Sequence, residues 1–339
     1  EGNKTITAIT KANPGVITCS SHGYLTGDEI NISSIVGMTE LNNKRFLVVK
    51  IDANTFSLTD VDGVAINTTN FTTYGSAGTM NRVFQITTTY TTAEIFDLKF
   101  AQSADVMYIT HPNHQTRKLS RTGHTTWTLA AVEFTNGPFL DTNVSTTTLT
   151  PASAGVGTGV NVTASAVAGV NGGSGFLTTD VGRQIRIGSG YAIITARTNT
   201  TVVVVTITTV FANTAANADW SLGAFSTTTG FPSCVSFFEQ RLVFAASINN
   251  PQTVYFSKSG DYENMDANIG GTVADDDAII YTIASNQVNA IRFMSSARTL
   301  IIGTAGGEFV VSGGGDNNAV TPTNIMIKKQ SNHGAANVD

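Results

Sequence analysis

Residues 237–265 read FFEQRLVFAASINNPQTVYFSKSGDYENM. Two apolar runs, FFEQRLVFAAS and TVYFSKS, flank the turn-forming INNPQ, and SGDY closes a hairpin that carries no evident catalytic groups. The pattern of strand, short turn, strand, loop, strand occurs three times. It reads IFDLKFAQSADVMYIT then TRKLSRTG, CVSFFEQRLVFAAS then TVYFSKSG, and VNAIRFMSSARTLIIGT then GEFVVSGG. Aligned on Phe100, Phe238 and Phe293, the third strands centre on Leu119, Phe256 and Val310. A unit of about 50 residues made of consecutive antiparallel strands is the sequence pattern of a β-propeller blade. Phe84, Phe96, Phe100, Phe237, Phe244, Phe293 and Phe309 are then expected in blade cores, between neighbouring sheets.

The first two blades are separated by roughly 85 residues more than the second and third. Composition locates the excess at 141–228, which turns Thr, Ala, Gly and Val rich and contains the β-branched run TTVVVVTITTVFA (200–212). That run is too short to span a bilayer and reads as a strand. The segment is expected to be a small β-sandwich or barrel inserted in one blade, with its ends near Asp141 and Phe225 close together. Residues 1–82 alternate short strands with the turns NPG, HGYLTGD, GMTELNN and DAN, which predicts a separate small β-barrel. The reading is therefore all-β: barrel 1–82, blade 83–140, insertion 141–228 and further blades 229–339.

Composition agrees and narrows function. Only 13% of the 339 residues are charged, and 19 basic against 24 acidic side chains give a net charge of −5. No basic tract supplies the counterion release that tight binding to a phosphate backbone requires. Cys19 and Cys234 follow no redox or zinc spacing and read as small buried thiols. The sequence begins at Glu1 without a methionine or a signal peptide, so a processed or missing N-terminus is expected. Triplets such as Asn143-Val144-Ser145 carry no weight in so Thr- and Asn-rich a chain.

Three groups could carry chemistry. His111, His114 and His124 have loosely metal-like spacing, but Pro112, Asn113 and Gly123 mark them as loop residues rather than ligands. Asp275, Asp276 and Asp277 could ligate calcium or serve a glycosidase, yet adjacent residues of an extended chain cannot all face one centre. A solvated turn is expected there. The glycines of GTAGGEF and SGGGD open no helix, so they read as turns rather than a phosphate cradle. No catalytic residue, cofactor or metal is expected.

Two resemblances add to this reading. The run from His22-Gly23 through Thr26-Gly27-Asp28 to Asn54-Thr55-Phe56-Ser57-Leu58 resembles a barrel module of phage structural proteins, named after the first catalytic cysteine half-domain (FCCH) of ubiquitin-activating enzymes. In that setting it implies a scaffold. FDLKFAQSADVMYITHPNHQTRKLSRTGHTTWTL, the 237–265 stretch and LIIGTAGGEFVVSGGG with TPTNIMIKKQSNHGA together resemble the propeller region of tail nozzle proteins, or tail tubular protein B, of short-tailed bacteriophages. That resemblance spans most of 84–140 and 230–339 and omits the insertion. It implies a virion protein that is not an enzyme: a homo-hexameric ring below the portal and adaptor rings. Its implied partners are adaptor and tail fibre or spike proteins, with genomic DNA passing transiently and no membrane insertion. Only three blades are visible where a closed propeller needs roughly four or more, so a fragment, or further blades beyond this sequence, is expected. The other open reading is a carbohydrate-binding or carbohydrate-cleaving propeller at the host surface, for which Trp127 and Trp220 are the available tryptophans.

Overall fold

The computed structural model describes residues 3–284, 288–314 and 318–337. Among these the chain is all-β, with 25 strands, a few single 3-10 turns and no α-helix. Runs of Thr, Val and Ile broken by Gly, Asn and Asp favour short strands over helices. The chain divides into two compact units, Glu1–Thr88 with Gly123–Thr126 and Thr89–Thr122 with Trp127–Asp339.

In the first unit, β1 (Lys4–Thr5), β2 (Ala8–Ile9), β3 (Val16–Thr18), β4 (Glu29–Val36), β5 (Lys44–Lys50), β6 (Thr55–Thr59) and β7 (Ser76–Arg82) form one sheet. Their order is β1-β7-β4-β5-β6-β3-β2, and every pairing is antiparallel. The edge strands β1 and β2 are one continuous run of chain. Ile6 N–H donates to the Gly78 carbonyl on one side, and Thr7 N–H to the Thr18 carbonyl on the other. A single bent segment thus closes the sheet into a barrel and leaves it no free edge. Alternation along β4 buries Ile30 and Ile32, then slips one place at Ser34, whose φ is +61°, so that Ile35 also faces inward. The core collects Ile17, Cys19, Tyr24, Phe56 and Met80 around these isoleucines.

Three of the remaining sheets are four-stranded meanders. The first holds β8 (Lys99–Ser103), β9 (Val106–His111), β10 (His114–Gly123) and β11 (Thr126–Ala131). A six-stranded sheet comes next in the chain, from β12 (Leu149–Pro151), β13 (Gly157–Ala164), β14 (Gln184–Ile187), β15 (Gly190–Arg197), β16 (Val202–Thr209) and β17 (Trp220–Leu222). The second meander is β18 (Cys234–Phe238), β19 (Arg241–Ala245), β20 (Thr253–Phe256) and β21 (Ile279–Thr282). The third is β22 (Ile291–Ser296), β23 (Leu300–Thr304), β24 (Gly307–Ser312) and β25 (Met326–Ser331). The meanders meet through their first strands. Lys99 on β8 donates its ammonium to the Arg292 carbonyl on β22, and the Cys234 thiol on β18 donates to the same oxygen at 3.4 Å.

Phe100, Phe238 and Phe293 all lie on first strands, and Leu119, Phe256 and Val310 on third strands. Register corrects one of them. The hairpin-closing pairs are Ser103↔Val106, Phe238↔Arg241 and Ser296↔Leu300, so the residue equivalent to Phe100 and Phe293 is Val235. The blade-core expectation also needs correction. Phe244 and Phe309 are buried, and Phe237 packs half-buried against Tyr108 and Tyr262, but Phe84, Phe96 and Phe100 are exposed and Phe293 is half-exposed. Alternation on β8 explains Phe100: Lys99 points inward to its carbonyl partner, so Phe100 must point out. Phe84 and Phe96 fall outside the strands altogether.

The 200–212 run supplies β16, with Val203, Val205 and Ile207 buried. The six-stranded sheet has its own core, including Leu149, Phe176, Ile194 and Trp220. Its entry and exit run side by side: Leu140 N–H donates to Leu222 O at 2.9 Å, Asn143 N–H to Trp220 O at 2.8 Å and Ala224 N–H to Pro138 O at 2.8 Å. Side-chain contacts hold it to the neighbouring blades. Gln184 bonds Phe134 O and, in both directions, Gly137, while Tyr191 Oη donates to Asp266 Oδ1 at 3.1 Å.

Candidate functional site

β9 and β10 form a hairpin whose outermost register pair is His111↔His114. The sequence reading placed both histidines in a loop; they are instead strand ends, and only Pro112 and Asn113 form the turn. Strand pairing therefore fixes their rings against one another, with centroids 4.9 Å apart. His124 follows the opposite end of β10 and takes no part.

The residue that joins them was not foreseen. Glu94, just before the 3-10 turn Ile95–Asp97, accepts a hydrogen bond at Oε1 from His114 Nε2 at 2.8 Å. Its Oε2 is held by Thr91 through the backbone N–H at 2.9 Å and the hydroxyl at 2.8 Å. The Thr91 N–H, then His114 and the Thr91 hydroxyl, bring the Glu94 pKa down to about 2. The ligand atoms of Glu94, His111 and His114 all lie within 4.8 Å of one another. His111 is 1% exposed; its Nδ1 accepts the Asn113 N–H at 3.1 Å, and its Nε2 is buried with no partner. Burial, then His114, pushes its pKa down, which favours the neutral ring, with one nitrogen carrying a proton and the other a lone pair. Tyr90 stands edge-on to His114 at 5.3 Å, and its buried hydroxyl also lacks a partner. The only sequence signal for Glu94 was its Thr-x-x-Glu spacing from Thr91, a capping-type local bond.

The aspartate cluster is structural. Asp275 and Asp276 are exposed, but Asp277 is buried, against the expectation of a wholly solvated turn. The reason is Arg241, itself buried, whose guanidinium donates to the carbonyls of Ser257, Asp275 and Asp277 at 2.6–2.7 Å. The turn folds over that cation and carries Asp277 inside, where it meets Lys258 Nζ and the Ala274 N–H, each at 2.8 Å.

This pair sets a pH dependence. Burial acts to raise the Asp277 pKa, but the Ala274 N–H and Lys258 outweigh it and hold the group below 3.8; Asp277 first of all raises Lys258 above 10.5. A depressed carboxylate stabilises the fold above its unfolded pKa and loses that contribution as pH falls through the folded value. A raised ammonium loses its contribution as pH rises through its folded value. The pair therefore works between those limits. Asp277→Asn is expected to flatten the fall in urea midpoint on acidification below about pH 4 while changing its slope little between about pH 6 and 9.

Other candidates resolve into structure. Trp220 is buried, with its indole N–H on Thr147 O at 2.9 Å, so it offers no sugar platform. Trp127 lies under the Arg121 guanidinium, 5.8 Å from the ring centroid. His22 is buried against Tyr24 and Phe56, with its ring nitrogens on Asp52 O and the Tyr24 N–H. Cys19 is buried, and burial raises its thiol pKa, opposite to what a nucleophile needs. Gly306 turns between β23 and β24, while Gly315 and Asp316 of SGGGD lie outside the described residues.

Residues 12–83 match the family described as the ubiquitin-activating enzyme E1 FCCH domain. The barrel is similar to that domain. Ubiquitin-like modifier-activating enzyme 1 of Oryctolagus cuniculus is 37% identical over 82 residues, and that of Homo sapiens 35% over 82 residues. Each alignment covers 23% of this chain and only 7% of the relative's length. Among solved structures, the phage phi92 endosialidase aligns with 91% of this chain and 34% of its own, at 12% identity and a TM-score of 0.18, too low to relate the two folds.

Proposed function

We propose that this chain is a structural component of a bacteriophage tail, the nozzle ring through which the genome leaves the virion. The observation that carries the proposal is the combination, in one chain, of an FCCH-like barrel with three four-stranded meanders joined through their first strands. The motifs in those meanders that resemble nozzle proteins lie on paired strands. The insertion is a guest on the first blades, suited to contacts with a fibre or spike protein, and adaptor proteins would meet the ring from above.

Charge supports a conduit. Each phosphate paired with a Lys or Arg adds salt-dependent affinity that resists sliding, and this chain has fewer basic than acidic residues. Assembly among like-charged protomers then rests on apolar and hydrogen-bonded contacts. The carbohydrate reading loses a platform through the burial of Trp220 and one carboxylate of the aspartate cluster through the burial of Asp277 against Lys258.

Imaging of the assembled particle tests the proposal. Six copies around a channel on the tail axis are expected, and the purified chain should show little affinity for duplex DNA at physiological salt. An off-axis position, tight DNA binding, or saturable glycan binding would each overturn it.

A further inference from the structure

We propose that Glu94, His111 and His114 form a binding site for one divalent transition-metal ion of the zinc class. The inference is independent of the tail reading and rests on the geometry of the first meander.

Three features make the cluster more than a chance contact. Its ligand atoms converge within 4.8 Å from two separate pieces of chain, the segment before β8 and the β9–β10 hairpin. Each piece is already held: the histidines by strand register, the carboxylate by Thr91 at one oxygen, which leaves the other directed at His114. Finally, His111 Nε2 is buried without a partner, although buried polar atoms are nearly always satisfied. A cation taking the place of the proton between Glu94 Oε1 and His114 Nε2 would also give the buried His111 Nε2 a partner once the ring proton moves to Nδ1.

Chemistry selects the ion. Two imidazoles and one carboxylate suit zinc and its first-row neighbours, whereas calcium and magnesium take sets of oxygens. Three protein ligands leave the fourth tetrahedral position for water. Binding has an identifiable cost. With Nδ1 accepting the Asn113 N–H, the neutral His111 ring carries its proton on Nε2; metallation moves that proton to Nδ1 and gives up the Asn113 bond. The bound ion would pin the strand-free Thr91–Glu94 segment to the hairpin.

The untagged full chain, stripped with EDTA and dialysed, is titrated with Zn²⁺ by calorimetry at about pH 7.5, where free histidine is neutral. One equivalent per chain is expected to bind saturably, with neither Ca²⁺ nor Mg²⁺ competing. Co²⁺ at the same site should give the visible absorption of a tetrahedral nitrogen and oxygen complex. His111→Ala and His114→Ala should each weaken Zn²⁺ binding by more than the roughly 10–100-fold typical of losing an outer partner, while His124→Ala leaves it unchanged. Should an alanine variant fail to fold by circular dichroism, the thermal midpoint decides: Zn²⁺ raises that of the wild type and leaves that of His114→Gln unmoved. Absence of saturable binding, a site shared equally with Ca²⁺, or binding indifferent to His111 and His114 overturns the proposal.

Discussion

Replacing Asp180 with alanine is expected to destabilise the inserted domain by about 3–5 kcal/mol, the cost of removing one partner from a buried ion pair. Asp180 and Arg183 are fully buried and bonded at 2.9 Å. The carboxylate also accepts from the Leu177 N–H, Asn171 Nδ2 and Thr228 Oγ1, at 2.7–2.8 Å. Arg183 reaches from it to the Gly223 carbonyl, at the exit of the six-stranded sheet, and to Asn171 Oδ1. Its Nη2 already has no partner, so loss of Asp180 would leave a poorly satisfied cation in a dry site. Trp220 fluorescence reports the domain directly, because the indole is part of its core. Chemical denaturation followed there should show the loss, and Asp180→Ala combined with Arg183→Met should recover much of it by removing the stranded charge. Single and double variants of equal stability would show that the pair contributes through its shape alone.

Arg241→Ala is the second large effect, expected at about 2–3 kcal/mol. The side chain occupies the start of β19 and gathers carbonyls from Ser257 and the 275–277 turn. Those of Ser257 and Asp277 sit at buried residues, so they bear most of the cost; those of Asp275 and Asp276 belong to exposed residues and can take water. Arg241→Lys should restore only part of the loss, because an ammonium cannot fork across several acceptors as a guanidinium does. The same substitution frees the turn that carries Asp277, so amide exchange at Ala274–Asp277 should accelerate along with the lowered midpoint. Unchanged exchange in that turn would argue against Arg241 as its organiser.

Much of this fold was legible because its signals are local. Alternating apolar residues and turn chemistry predicted the strands around 237–265, the β-branched run gave β16, and a compositional change marked the stretch that forms the six-stranded sheet. The fourth strands of the second and third meanders were missed for physical reasons. Ile279–Thr282 is a short apolar stretch behind three aspartates, and Met326–Ser331 is a polar edge strand that comes after a long connection. Phe100 misled because hydrophobicity alone does not say which face of a strand is covered, and Phe96 because it lies in the 3-10 turn before that strand. Lys99 faces inward there for the sake of a carbonyl on a strand almost two hundred residues away.

The candidate site was half legible. His111 and His114 stood out by type, but the turn residues between them hid the fact that they close a hairpin. Glu94 could not have been assigned, since its approach to His114 depends on how the segment before β8 lies across that hairpin. Arg241 was likewise invisible, because a guanidinium that caps carbonyls leaves no periodic trace.

The paired entry and exit of the insertion have a mechanical consequence. Tension applied to the far end of that domain runs along two covalent backbones in parallel, through 138–143 and 220–224, and leaves the bonds between those strands unloaded. The elements that resist a sideways load are the lateral contacts, Gln184 to Phe134 and Gly137 and Tyr191 to Asp266. These yield first under such a load, and the domain then swings on its double strand with its own core intact, behaving as a tethered lever rather than as a wedge that tears the blade.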